Sequence, residues 1–122
     1  MEVRGKRALG KFGEEMACDF LQSRGHRILS RNWQGGHLEV DVISEAPDGL
    51  HFVEVKTRLA AEAAPEEKVD VRKQQRISAA ALRYLNESGS DREVFFDVVS
   101  VLLDGNATEV KYFPQAWIPM YV

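Results

Sequence analysis

Leu38-Glu39-Val40-Asp41-Val42-Ile43-Ser44 and Leu50-His51-Phe52-Val53-Glu54-Val55-Lys56-Thr57 decide how this chain folds. Both read as strands, rich in Val, Ile and Phe and bounded by turn residues: Gln34-Gly-Gly before the first, Glu45-Ala-Pro-Asp-Gly between the two. A period of two puts Glu39 and Asp41 on one face of the first strand, and Glu54 and Lys56 on one face of the second. Phe52 shares the Glu54 and Lys56 face while His51, Val53 and Val55 line the other, so both faces are partly apolar and burial is expected. Three carboxylates and an ammonium are costly to desolvate unless a shared task repays it. Holding a divalent cation beside a lysine is such a task, and it suits metal-dependent cleavage of a phosphodiester.

Outward from these strands the pattern extends to both termini. Ala8, Leu9, Phe12, Met16, Phe20 and Leu21 recur at helical spacing, predicting a helix over 5–24 that Gly25 terminates. Ile28 to Trp33 reads as a first strand, so three strands joined by short connections form an antiparallel meander. Residues 58–67 have no clean period and hold one proline, which predicts a mobile loop at the mouth of a site. Val69 to Leu85 reads as a second helix stopped by Asn86-Glu-Ser-Gly. Glu93 to Leu103 and Ala107 to Phe113 read as strands around a tight Asp104-Gly-Asn106 turn. Pro114 to Trp117 reads as one helical turn before an extended tail. The order α-β-β-β-α-β-β has no repeat or linker and predicts one α/β domain over 1–122, a mixed five-stranded sheet flanked by helices.

Composition narrows the setting. The chain has 122 residues, 29% charged and 44% hydrophobic, an ordinary globular balance. The single Cys18 excludes an intramolecular disulfide and a cysteine zinc cluster. No apolar signal core follows Met1 and no run approaches a membrane span, so a cytoplasmic protein with no membrane partner is expected and the Asn86 and Asn106 sequons are chance matches. Net charge is -3, yet residues 1–36 carry seven Lys/Arg against four Asp/Glu, and residues 68–83 carry five against Asp70 alone. An acidic centre flanked by two basic helices is compatible with a phosphate backbone, although charge alone equally allows two solvated helix faces.

The residue types suit the proposed chemistry. Mg²⁺ or Mn²⁺ prefers oxygen ligands, which Asp41, Glu54 and the carbonyl of Val55 could supply. Lys56 could orient or deprotonate the attacking water, or offset transition-state charge. Alternation also permits a strand whose Asp, Glu and Lys merely face solvent. Glu14, near the apolar stripe of the first helix, fits either an outer ligand or a surface glutamate. His37, in the turn before the acidic strand, has a pKa range suited to acid/base or phosphate contact, or is simply a polar turn residue. Asp97, in an apolar strand, is either a carboxylate supporting the site or a structural acceptor. Gly10-Lys11 lacks the pattern of a phosphate loop, the three histidines make no zinc site, and no nucleophile elbow is present. Trp33, Tyr84, Trp117 and Tyr121 read as core or interface aromatics.

Several of these segments together resemble a known family. Gly13-Glu14-Glu15-x-Ala17, Arg31-Asn32-Trp33, Glu39-Val-Asp41-Val-Ile43, Phe52-Val-Glu54-Val-Lys56-Thr-Arg58, Lys73 through Ala81, Tyr84-Leu85 and Phe96-Asp97-Val-Val99 are similar to the YraN-like family of uncharacterised small bacterial proteins. That family looks like a branch of the restriction-endonuclease-like superfamily, close to archaeal Holliday-junction resolvases. The resemblance covers nearly the whole chain. It implies a restriction-endonuclease-like core whose Asp…(Asp/Glu)-x-Lys motif falls on Asp41, Glu54 and Lys56, whose helical Glu falls on Glu14, and whose acidic strand retains Glu39. It implies a polar residue on the second helix facing the site, best matched by Lys73 with Gln74 as substitute. Arg58, Arg72, Lys73, Gln74, Arg76 and His37 are then the candidates for contact with DNA, including branched or junction DNA. The alternative reading keeps the fold but not the turnover, as a nucleic-acid or protein binding module. A homodimer is expected weakly from Phe113, Trp117, Ile118, Met120, Tyr121 and Val122, residues that could equally cover the intramolecular core.

Overall fold

The two acidic segments lie on neighbouring antiparallel strands, β2 (Leu38–Ala46) and β3 (Gly49–Leu59), in a computed structural model that describes residues 5–62 and 69–118. Residues 63–67 of the expected loop, Lys68, and the tail residues Met120, Tyr121 and Val122 lie outside the described part. The remaining elements are α1 (Gly5–Ser23), β1 (Arg27–Gly35), α2 (Val71–Ser88), β4 (Val94–Asp104) and β5 (Ala107–Phe113), with one 3-10 turn at Ala60–Glu62. The sheet order is β1-β2-β3-β4-β5, with only the β3–β4 pair parallel. The crossover between β3 and β4 is α2, as a parallel pair requires.

Local sequence explains most boundaries. Gly25, at φ 91°, ends α1 with His26 N–H on the Leu21 carbonyl and Gly25 N–H on the Gln22 carbonyl, a Schellman arrangement. Asp70 caps α2 by accepting the Lys73 N–H at 3.0 Å, and Gly89 closes it in the left-handed region. The hairpins are tighter than expected, with two-residue turns at Pro47-Asp48 and Gly105-Asn106. Two expectations need correction. Arg58 and Leu59 continue β3 and Ala60–Glu62 form a 3-10 turn, where the sequence predicts a mobile loop from residue 58. Pro114 to Trp117 form no helical turn: Gln115 sits at φ 51° and its N–H donates to Asp97 Oδ1 at 3.0 Å, so a buried carboxylate dictates the bend.

The helices cover opposite faces. Ala17, Cys18 and Leu21 of α1 pack on Val42, Val53, Val99 and Val101. Ile77, Ala80 and Ala81 of α2 pack on Ile43, Phe52, Phe96 and Val98. Phe52 and Val53, adjacent in β3, thus belong to different cores, which is why β3 reads as a near-continuous apolar run. Trp117 joins the α2 core, stacked on Phe96 at 5.2 Å, whereas Ile118 is 84% exposed.

On the α1 face a buried polar cluster pins the centre of the sheet. Asp97 is fully buried and accepts from Tyr112 Oη (2.6 Å) and from the Gln115 N–H, and pairs with His51 Nδ1 (2.5 Å). His51 Nε2 meets Asp48 at 2.7 Å. Burial disfavours the His51 charge, but hydrogen bonds to Asp97 and Asp48 outweigh it and raise the pKa. Asp97 therefore ties β3, β5 and the segment after β5 to β4.

Candidate active site: an acidic cavity under both helices

The β2–β3 ladder ends at the pair Val42↔Val53, one residue short of Asp41. Beyond it Asp41 Oδ2 accepts the Val55 N–H at 2.9 Å, so a carboxylate replaces the partner strand's carbonyl. Simple alternation would put Val40 and Val42 on one face, but Val40 packs with the α2 core and Val42 with the α1 core. β2 turns over at Asp41, whose side chain enters neither core and lines a cavity of 570 Å³ instead.

That cavity is lined by Lys6, Leu9, Gly10 and Glu14 of α1, by Asp41, by Glu54, Val55, Thr57 and Arg58 of β3, by Glu62, and by Lys73 of α2. Glu54 is 4% exposed. Its Oε2 stands 2.9 Å from Lys73 Nζ as an ion pair, yet accepts no aligned hydrogen bond among the described residues. Burial, then the hydrogen-bonded and charged neighbour Glu54, push Asp41 up to about 8, against the opposing pull of the Val55 N–H and Lys73. Losing the Asp41 proton would put a second negative charge beside Glu54 in a buried place, which is why burial and this neighbour act in the same direction. Burial alone would lower the Lys73 pKa, but Glu54, Asp41 and Glu39 raise it, so the lysine stays charged.

The depth of Glu14 in this cavity depends on Gly13. Gly13 is buried, and a Cβ there would overlap Thr57 Oγ1, so α1 rests directly on β3 one residue before Glu14. Gly13→Ala is expected to destabilise the protein by about 1–3 kcal/mol through overpacking, despite alanine's better helix propensity. Chemical denaturation would check it, and wild-type stability would contradict this close docking.

The other candidates scatter. Lys56, on β3 two residues beyond Glu54 and opposite Ser100, is half-buried and does not line the cavity. The lysine at Glu54 comes from α2, where the Asp70 cap sets Lys73 in the first turn. Glu39 is exposed and off the cavity wall, because the turn-over at Asp41 breaks the expected shared face; it reaches the site only as a charge felt by Lys73. Arg58 is on the wall, and Arg72 and Arg76 line a separate 450 Å³ groove with Leu38, Gln75 and Ala79. Gln74 is spent on the Val69 carbonyl at 2.8 Å, and His37 is exposed in the β1–β2 turn. Lys6, Thr57 and Glu62 had no signal in the sequence. Asn32, which donates to Glu14 Oε1 at 3.0 Å, was visible only as part of a family motif.

The residues present fit a hard divalent cation in part. Glu54, buried and ion-paired with Lys73, next to a carboxylate that burial and crowding keep protonated, offers two oxygen donors of the kind a hard cation takes. Among the described residues, however, no three or more His, Cys, Asp or Glu side chains are grouped as metal ligands.

The mixed sheet, its α-β-β-β-α-β-β order and the flanking helices match the restriction-endonuclease-like topology, so the chain has a nuclease-like scaffold. The chain belongs to the uncharacterised protein family UPF0102, whose sequence profile matches residues 13–101. A UPF0102 protein of Syntrophomonas wolfei subsp. wolfei is 37% identical over 113 residues, covering 91% of this chain and 98% of the relative. One from Porphyromonas gingivalis is 40% identical over 111 residues (88% and 82%), and one from Anaeromyxobacter dehalogenans 39% identical over 115 (93% and 86%). No helix among the described residues is long and apolar enough to cross a membrane.

Proposed function

We propose that this protein is an endonuclease that hydrolyses DNA phosphodiesters with the help of Mg²⁺ or Mn²⁺. The observation that carries this reading is the meeting of Asp41 and Glu54 where the β2–β3 ladder opens, in a cavity whose wall also holds Lys73 and Arg58. Asp41, Glu54 and the Val55 carbonyl would hold the cation, with Glu14 beside them. When bound, the cation supplies Lewis acidity to the phosphate and acidifies water. The chain's own residues do the rest. Lys6, Arg58 and Lys73 draw the phosphate into the cavity and offset charge that builds on its oxygens. Lys56, two residues beyond Glu54 on β3 and off the cavity wall, would orient or help deprotonate the attacking water, or offset transition-state charge, once DNA is bound.

Arg72 and Arg76 provide a second, purely electrostatic contact along α2. Phosphate contacts position a nucleic acid without reading its sequence, so shape would govern the choice of substrate, and branched or junction DNA is the form proposed. A two-fold dimer would present two such cavities to the two strands of a symmetric junction. The second reading, a binding module without turnover, keeps the phosphate contacts of Arg58, Arg72 and Arg76 and leaves the acidic cavity inert.

The test is cleavage of labelled duplex, flap, four-way junction, single-stranded and RNA substrates with Mn²⁺, wild type beside Lys56→Ala and Asp41→Asn. Cleavage of branched DNA lost in both variants is the expected result. Cleavage that survives Asp41→Asn sinks the nuclease assignment, and binding without cleavage favours the second reading. In anisotropy titrations across a salt series, Arg72→Ala with Arg76→Ala is expected to reduce the slope of log affinity against log salt by about 2. An unchanged slope would place the DNA elsewhere.

A further inference from the structure

We propose that Asn32 is a positioning residue of the acidic cavity, its side-chain amide holding the Glu14 carboxylate in the orientation that serves a cation at Asp41 and Glu54. The proposal rests on the nuclease reading and deepens it.

Asn32 has φ 53°, in the left-handed region, although it lies inside β1 rather than in a turn. Asparagine tolerates that region better than most residues, but inside a strand it is uncommon and calls for a cause. One cause is visible in the packing. Arg31 pairs with Glu15 of α1 at 3.4 Å, while Trp33 packs into the α2 core, edge-on to Tyr84. Regular alternation would place residues 31 and 33 on the same face, so β1 turns over at Asn32. The ladder pairs Arg31↔Val42 and Trp33↔Val40 set Asn32 opposite Asp41, where β2 also turns over. Both strands change face at one step, and Asp41 at that step lines the cavity.

The turn-over needs only the left-handed backbone, which glycine would supply more readily. The amide adds something that glycine lacks. Asn32 Nδ2 donates to Glu14 Oε1 at 3.0 Å, joining the β1 turn-over point to a carboxylate on the cavity wall. With Oε1 engaged by the amide, fewer orientations are open to the Glu14 carboxylate, and its second oxygen is the one left for the cavity. Partners of this kind orient ligands and set their affinity.

Asn32→Gly separates the two roles, because it keeps the backbone conformation and removes the amide. It is compared with wild type, Glu14→Gln, the double variant and Asp41→Asn by thermal unfolding without cation and by Mn²⁺ titration calorimetry. The expected result is a wild-type unfolding midpoint with Mn²⁺ affinity lowered about tenfold in Asn32→Gly. The double variant should bind no more weakly than Glu14→Gln alone, since Asn32 acts through Glu14. Wild-type affinity in Asn32→Gly, or losses that add in the double variant, would overturn the proposal while Asp41→Asn still shows its own loss. Unchanged Mn²⁺ binding in Asp41→Asn would instead overturn the nuclease reading, and the role of Asn32 with it.

Discussion

On the proposed nuclease reading, Asp41→Asn is expected to weaken divalent-cation binding by about a hundredfold or more and to abolish cleavage, and on any reading to make the cation-free protein more stable above neutral pH. The binding loss follows because a direct ligand should cost at least as much as the upper end of the range for outer partners. The stability gain follows from linkage. Burial first, and then Glu54, raise Asp41 to about 8 from an ordinary value of 3.8. The folded state therefore holds a proton that the unfolded state releases, and stability falls as pH rises between those two values. The slope is at most about 1.4 kcal/mol per pH unit. Asparagine cannot ionise and its carbonyl can still accept the Val55 N–H, so this part of the slope disappears. On the proposed reading Mn²⁺ would compete with the same proton, so it should stabilise wild type more at pH 8 than at pH 6. Thermal unfolding from pH 5 to 9, with chelator or with Mn²⁺, checks all three. Parallel curves for wild type and variant would show that Asp41 is not a strained, proton-holding acid.

Asp97→Ala is expected to be the most destabilising single change in the polar interior, at about 3–5 kcal/mol, because it strips a buried charge from its partners. His51, Tyr112 Oη and the Gln115 N–H all lose an acceptor at once, and a void replaces the carboxylate. The pH dependence should change too. Folding raises the His51 pKa, so its contribution is complete below its ordinary value of 6.5 and lost as pH climbs through the folded value. Without Asp97 that loss should shrink, leaving Asp48 as the remaining acid partner. Urea unfolding at pH 6 and pH 8 measures both effects, and a cost below about 1 kcal/mol would mean that the site collapses or hydrates freely. This cluster lies outside the proposed active site, so the two variants probe separate regions.

Much of the fold could be read from local chemistry. Apolar periodicity marked α1 and α2, and turn residues placed the hairpins within a residue or two. Apolar residues on both sides of β3 indicated burial on both faces, which only a strand covered by two layers satisfies. Family-like motifs pointed to Asp41, Glu54, Glu14 and Lys73, and the fold brings all four to one cavity. Less was legible where the rule of alternation fails. A regular strand puts Glu39 on the face of Asp41, and the turn-over at Asn32 and Asp41 separates them. Lys56 has the right sequence spacing, yet a helix seventeen residues further along delivers the lysine that touches Glu54. The bend at Gln115 answers to a carboxylate eighteen residues earlier.

Propensity, capping and apolar period act over a few residues, so the elements, their order and the two-sided core are legible along the chain. Which charges share a cavity, which lysine reaches Glu54, and that Asn32 stands against Glu14 are not. Those outcomes depend on where strands leave regular pleating and on how closely Gly13 lets a helix approach, and such distances are set by packing between segments far apart in the chain.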